Sequence, residues 1–273
     1  MTGRKCPPRA LTVAGSDSGG GAGLQADLKT FQSFGCYGMS VITALTAQNS
    51  VGVRGVYKVT GDFVRLQMEA VFEDIGVDAL KCGMMADREV VEAVADVLER
   101  YPEVPLVLDT VFVAKSGAQL LEDRAVETMV ERLFPRAQLV TPNIPETQRL
   151  VGFQVKDRED MARAAGAIRK MGARAILIKG GHLEGDILLD LLLLAEGGIK
   201  IFKGRRIATP HTHGTGCTLS AAVTASLARG LSLEQAVAAA RNYVRAGIRN
   251  SHRTGAGHGT LLHIPGEDWL GES

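Results

Sequence analysis

The sequence predicts an α/β fold, a mostly parallel β-sheet covered by α-helices on both faces. Three observations carry this expectation. Short apolar runs bounded by glycine or proline, such as "ALTVAG" at Ala10–Gly15 and "AILIKGG" at Ala175–Gly181, read as buried strands. They alternate with segments of helical period, such as the one that puts Val90, Val91, Val94 and Leu98 on a single face. No internal repeat, low-complexity tract or linker breaks the alternation, which is the pattern of a parallel sheet covered on both sides. One domain over 1–273 is therefore expected, with 1–9 and about 260–273 as peripheral tails.

The elements follow in order. After the first strand, a glycine-rich exit leads to a helix from about Ala22 to Phe34, closed near Gly35. "MSVITALTAQNS" and "VRGVYKV" read as strands joined at Ser50–Gly52. "VDALKCG" is a buried strand, and Asp87 is placed to cap the helix after it. "PLVLDT" is a strand, Arg124 to Phe134 is helical, and "QLVTPN" is a strand stopped by Pro142. A helix from Arg158 to Met171 stops at Gly172. "DILLDLLLLAEGGIKIFKG" reads as two strands around a Glu-Gly-Gly turn. Two long helices come last; Ser232 and Gln235 form a capping-box pattern at the start of the second.

Composition excludes several classes. Lys plus Arg number 31 and Asp plus Glu 30, a net charge of +1, so no bulk field attracts nucleic acid or an acidic membrane. Any anion must be held by a local site. Cys6, Cys36, Cys82 and Cys217 are scattered and form no CxxC, which argues against a disulfide framework or a zinc ribbon. The basic N-terminus has no apolar stretch behind it, so no secretory signal is expected. The most apolar run, Ile187–Ala195, is too short to span a bilayer. A cytoplasmic enzyme or binding protein is expected.

Two glycine clusters compete as phosphate sites. "GSDSGGGAG" is not a Walker A loop, because Leu24 and Gln25 stand where Lys and Ser or Thr would follow. Its GxGxxA lies in the setting of a dinucleotide fingerprint, but "VITALTAQNS" offers no carboxylate for a ribose. The glycines then serve a tight turn, or let backbone approach a small ligand beside Asp17 and Asp27. "HGTGC" has the stronger physics. Gly214 and Gly216 free the backbone to aim N–H groups at one point, and the helix that begins at Cys217 adds the positive end of its dipole. The same field is expected to lower the thiol of Cys217 toward a thiolate able to take a proton from an alcohol; a buried structural cysteine is the alternative. The His211, His213, Cys217 spacing matches no common zinc pattern.

Further chemistry sits at strand ends, where open α/β sheets bind ligands. Asp17, Gly83, Asp109, Asn143 and Lys179 all fall at or just past one. Asn143 and Glu146 in "TPNIPE" suit either hydrated Mg²⁺ beside phosphates or a helix cap. Lys179 in "IKGGH" either reaches a nucleotide's phosphates or extends to solvent.

Taken together, "AGSDSGGGAGLQADLKTF", "YGMSVITALTAQN", "LDTVFVAKSG", "TPNIPE", "KGGH" and "THGTGCTLSAA" resemble the hydroxymethylpyrimidine/phosphomethylpyrimidine kinases of thiamin biosynthesis, in the ribokinase superfamily. The resemblance runs in order over about Ala10 to Gly259. It implies a ribokinase-like sheet with a small β-hairpin flap, often in a homodimer. It implies ATP- and Mg²⁺-dependent phosphorylation of 4-amino-5-hydroxymethyl-2-methylpyrimidine to the monophosphate and then the diphosphate. By matching motif it assigns the pyrimidine pocket to Gly15, Asp27, Gln48, Met84 and the backbone at Val111. Asn143 and Lys179 would serve ATP, Asp109 and Glu146 the metal, and Asn143 also the metal's waters. Gly214, Thr215 and Gly216 would form an anion hole, with Cys217 as proton acceptor where many superfamily members have aspartate. Related pyridoxal kinases are the rival within the fold. Some carry a second cysteine in the lid, where this chain has Ala114, and Phe112 stands where methionine is expected. A catalytically silent pyrimidine- or nucleotide-binding protein is the rival of another class, and the retained "GTGC" argues against it. The end near Ser273 leads one to expect no fused thiamin phosphate synthase domain.

Overall fold

A computed structural model of the chain describes residues 6–112, 121–183 and 185–263. Its centre is an eight-stranded sheet in the order β10-β9-β8-β7-β6-β5-β1-β2. The strands are β1 (Arg9–Ala14), β2 (Tyr37–Ile42), β5 (Ala79–Cys82), β6 (Leu106–Leu108), β7 (Leu139–Val140), β8 (Ile176–Ile178), β9 (Ile187–Leu193) and β10 (Ile199–Arg205). Pairing is parallel from β8 through β7, β6, β5 and β1 to β2. β9 is antiparallel to both of its neighbours. A separate antiparallel hairpin joins β3 (Ala44–Gln48) to β4 (Val53–Lys58).

The helices are α1 (Gly23–Ser33), α2 (Gly61–Ala70), α3 (Arg88–Glu99), α4 (Asp123–Arg132), α5 (Ile144–Val151), α6 (Arg158–Lys170), α7 (Thr215–Ala228) and α8 (Leu233–Arg249). Strand side chains alternate between the two faces. Leu11, Val13, Leu80, Cys82, Leu106 and Leu108 join a core with residues of α2, α3, α4 and α6. Ala10, Ala79, Val107 and Leu139 join the opposite core with α1, α7 and α8. The expected helix-covered, mostly parallel sheet is therefore present, flap included.

Local signals explain most helix starts. Asp87 accepts from the Val90 amide, Asp157 from Asp160 and Thr60 from Phe63. Ser232 and Gln235 make the expected reciprocal capping box. The first helix keeps to its expected place, Gly23–Ser33.

Four readings differ. "MSVITALTAQNS" is not one strand: the chain leaves the sheet at Thr43, and its two halves become β2 and β3. Thr43 donates its hydroxyl to the Met84 carbonyl at 2.6 Å, which fixes that bend. α2 and the π-helical turn Val71–Ile75 after it had no counterpart in the sequence reading. At the N-terminal end, Arg9 begins β1 and pairs with Asp78 at 2.6 Å. Thr260–His263 is no peripheral tail either. Leu261 is 1% exposed, and the His263 carbonyl accepts from Ser33 and Tyr243.

Candidate active site

α7 packs on β1, β5 and β6, and its first turn lies beside Lys179 just past β8. Like α1 and α4, α7 starts without a side-chain cap. Its N-cap is Gly214, at φ 82°, with no side chain to satisfy the first amides. Glycine is required there twice over: the backbone is left-handed, and a Cβ would stand 1.8 Å from the Gly21 carbonyl oxygen. Thr215 turns its hydroxyl back to the Thr212 carbonyl at 3.2 Å. Gly216 faces Lys179, whose Nζ lies 3.6 Å from where a Cβ would be.

The upstream glycine loop is already satisfied. The buried carboxylate of Asp17 accepts from the amides of Gly19 (2.8 Å), Gly21 (3.2 Å) and Ala22 (2.9 Å). His213 Nε2 lies 3.0 Å from the same group. Burial works against the charge of Asp17, but the His213 bond and these amides hold its carboxyl below the usual range. This loop carries its own anion, whereas the loop at α7 carries none. The two loops also pack on each other through Gly21 and Gly214.

Beside α7 lies a charged chain. Asp109, 2% exposed, binds Lys179 at 2.9 Å, Thr141 at 3.1 Å and Ser220 at 3.2 Å. Burial opposes its ionisation; Lys179 and then Lys81 outweigh burial and keep its carboxyl below the usual range. Glu146 accepts from the Asn143 amide at 2.8 Å and the Thr110 hydroxyl at 3.1 Å. Burial pushes its carboxyl up to about 7, against the pull of Lys179. Asn143 accepts from the Glu146 amide at 2.9 Å, so the cap reading of "TPNIPE" is realised as a full capping box just past β7.

These carboxylates suit one kind of cation. Asp109 is ionised, Glu146 is poised to ionise when positive charge arrives, and the two sense each other through space. Among the described residues, no group of three or more His, Cys, Asp or Glu could hold a metal ion. Two carboxylates would fit a hard cation such as Mg²⁺ only if other oxygen ligands, phosphate or water, completed its shell.

On the flap side, Met84 closes over Gly15, where a Cβ would stand 2.2 Å from the Met84 methyl. Gln48 places its amide nitrogen 3.5 Å from His213 Nε2. Val111 donates its amide to the Asp109 carbonyl at 2.9 Å. Phe112 is fully buried, and the 113–120 stretch of the expected lid, with Ala114, lies outside the described residues.

Two expectations are corrected. Cys217 is in the first turn of α7, but its thiol is not lowered: burial pushes it up to about 11, although Lys81 and the Gly23 amide pull the other way. Removing the thiolate from water outweighs the helix start. Asp27 is not on the cleft surface. It is 0% exposed, and its oxygens are taken by Lys81 at 2.9 Å and Thr12 at 2.6 Å. It anchors Lys81.

Lys81 itself was missed, although one signal could have found it. It is a charged residue inside the apolar run "VDALKCG", and a lysine buried there demands a partner. His213, weighed only as a zinc ligand, instead places Nε2 3.0 Å from the Asp17 carboxylate, with the Gln48 amide nitrogen 3.5 Å from the same atom.

Comparisons with known proteins identify the family. A family model described as phosphomethylpyrimidine kinase matches residues 17–262. The hydroxymethylpyrimidine/phosphomethylpyrimidine kinase of Bacillus subtilis is 46% identical over 256 residues, 94% of this chain and 94% of that protein. The thiamine biosynthesis bifunctional protein ThiED of Geobacter sulfurreducens is 49% identical over 264 residues, 96% of this chain but 54% of its own length, so this chain spans about half of that protein. Among solved structures, an ADP complex of Bacillus subtilis pyridoxal kinase superposes with a TM-score of 0.88 at 37% identity, covering 95% of this chain and 98% of that one. The phosphomethylpyrimidine kinase of Clostridium difficile 630 superposes with a TM-score of 0.78 at 41% identity, covering 89% and 100%. With its strand-end charges, its uncapped α7 and a family match over nearly its whole length, the chain belongs to the phosphomethylpyrimidine kinase family.

Proposed function

We propose that this chain transfers the γ-phosphoryl group of ATP first to the hydroxymethyl group of 4-amino-5-hydroxymethyl-2-methylpyrimidine and then to the resulting monophosphate, in thiamin biosynthesis. The family's kinase activity, with ATP as phosphoryl donor, is the basis of this reading. The observation that carries the residue roles is the bare start of α7 opposite the Lys179–Asp109 pair.

In this reading the transferring phosphoryl sits at the amides of Thr215, Gly216 and Cys217. Phosphoryl transfer involves little covalent chemistry by the protein, so fixed donors and positive charge supply most of the effect. Lys179, beside Gly216, adds a point charge to the phosphates. Asp109 and Glu146 would hold Mg²⁺, and Asn143 orders that corner through its capping box. When bound, Mg²⁺ neutralises charge on the phosphates. Gln48 reads the aminopyrimidine edge, since its amide offers both a donor and an acceptor. Gly15, Met84 and the Val111 backbone shape the ring pocket.

Cys217 takes the proton of the attacking hydroxyl. Exposed apolar side chains on the flap, Leu45, Val56 and Tyr57, support a homodimer, which light scattering tests. A cytoplasmic location is part of the same reading; among the described residues no helix is long and apolar enough to cross a membrane. The deciding experiment compares turnover of the hydroxymethylpyrimidine and of pyridoxal with ATP and Mg²⁺, with analysis for mono- and diphosphate. A strong preference for pyridoxal would sink the proposal.

A further inference from the structure

Asp190 is a charged residue inside the chain's most apolar run, Ile187–Ala195. Side chains alternate along β9: Leu189, Leu191 and Leu193 pack on the side of α6, and Leu192 on the side of α7 and α8. Asp190 shares the face of Leu192, and both of its oxygens are used. Oδ2 accepts from Arg241 Nε on α8 at 2.7 Å, and Oδ1 accepts from the Gly180 amide at 2.9 Å. The guanidinium of Arg241 also lies over the ring of Phe202, 5.1 Å from its centroid, and Phe202 is paired with Asp190 across the β9–β10 ladder. Only 16% of the Asp190 side chain and 11% of that of Arg241 are exposed. A carboxylate so far out of water needs both partners, and they fix its direction.

Gly180 follows Lys179 and opens the 3-10 turn Gly180–His182. The turn lies close against β9: a Cβ on Gly180 would stand 1.8 Å from the Leu189 carbonyl oxygen. Lys179 is thus held at both of its peptide groups. Its own amide donates to the Pro142 carbonyl at 2.9 Å, and the next amide, that of Gly180, donates to Asp190. Arg206 binds the carbonyls of Gly181 and Leu183 at 3.0 and 2.6 Å, so the rest of the turn has a clamp of its own. From this position Lys179 Nζ reaches Asp109 at 2.9 Å and comes beside Gly216.

We propose that Asp190, braced by Arg241, is a positioning residue for Lys179: by holding the Gly180 amide it fixes the backbone from which the Lys179 ammonium meets the nucleotide's phosphates. The inference rests on the role given to Lys179 above. Two glycines follow Lys179, and glycine by itself leaves the backbone free. A carboxylate acceptor, stronger than a neutral one, restrains the first of them. Asp190 acts through that one peptide group, not on the phosphates.

The test is a double-mutant cycle on the affinity for ATP with Mg²⁺, measured by titration calorimetry of the full chain without the pyrimidine, with kcat and KM in parallel. Asp190→Ala is expected to weaken ATP binding about three- to tenfold and to raise KM for ATP alike, with KM for the pyrimidine nearly unchanged. In a Lys179→Ala background the same change is expected to add less than about twofold, because the group it positions is gone. If an unpaired Arg241 keeps Asp190→Ala from folding, Asp190→Leu/Arg241→Met removes both charges and carries the same expectations. Asp190→Asn/Arg241→Met also removes both charges but keeps an oxygen for the Gly180 amide, and is expected to bind ATP severalfold more tightly than the leucine pair. Wild-type affinity in a folded variant without Asp190, losses that multiply across the cycle, or equal affinity in the two charge-free pairs overturn the proposal and leave the kinase reading standing. Wild-type affinity in Lys179→Ala alone overturns the assignment of Lys179 to the phosphates instead.

Discussion

Lys179 Nζ and Asp109 Oδ1 stand 2.9 Å apart at the ends of β8 and β6, with 14% and 2% of their side chains exposed. Lys179→Ala strips a buried carboxylate of its partner, which typically costs about 3–5 kcal/mol. The variant should melt earlier, and its KM for ATP should rise by on the order of tenfold or more while KM for the pyrimidine moves little. Lys179→Ala/Asp109→Asn should recover much of the melting temperature but not ATP use. Calorimetry and steady-state kinetics separate the two effects.

The raised carboxyl of Glu146 gives a pH signature. The group titrates near 7 in the fold against an ordinary value of 4.5, so between those pH values the folded chain holds a proton that the unfolded chain has lost. Stability contributed by this group is present below about pH 4.5 and lost as pH rises through 7. Glu146→Gln keeps the capping box and removes the titration. Its stability relative to wild type should rise from pH 5 to pH 8 by on the order of 2–3 kcal/mol, seen as a higher melting temperature at pH 8. Equal pH profiles for the two proteins would contradict this account.

Gly214 and Gly216 should respond differently to alanine. Gly214→Ala puts a methyl against the Gly21 carbonyl in a left-handed backbone and should fold poorly. Gly216→Ala meets Lys179 at ordinary contact distance, so the fold should survive. The methyl then sits over the amides of α7, and kcat should fall by on the order of 10²-fold, as for loss of one anion-hole donor. Circular dichroism and kinetics on both variants test the contrast.

Cys217→Ala should lower kcat by on the order of 10²–10⁴ and leave KM for both substrates within a few-fold. Near-normal turnover would reduce Cys217 to a packing residue.

Gln48→Ala should act on KM for the pyrimidine, raising it about tenfold or more through loss of a paired amide. kcat at saturation should change less, because Gln48 sits on the flap, away from the phosphates. An unchanged KM would remove Gln48 from the pocket.

Where the sequence was readable, the reason is range. Asp87, and Ser232 with Gln235, act within a single helical turn, so their roles as caps follow from spacing alone. The strand-end positions of Asp109, Asn143 and Lys179 follow from the alternation of apolar runs. Asn143 and Glu146 left two readings open, and the structure realises the cap while keeping the pair beside Asp109. By contrast, the split of "MSVITALTAQNS" depends on Thr43 meeting the Met84 carbonyl, 41 residues away. Periodicity holds no trace of that bond.

The sequence by itself determined the helix-covered sheet, the capped helix starts and the bare glycine start of α7, because each rests on periodicity or on hydrogen bonds within one turn. Only the tertiary structure decided the electrostatics. The order β6-β5-β1 sets Lys81 and Thr12 on neighbouring strands with Asp109 just past the end of β6, and α1 lowers Asp27 onto Lys81 from 54 positions away. Burial among those charges raises the Cys217 thiol where a helix start alone would lower it. Charge states depend on desolvation and on neighbours distant in sequence, and both exist only once the chain has folded.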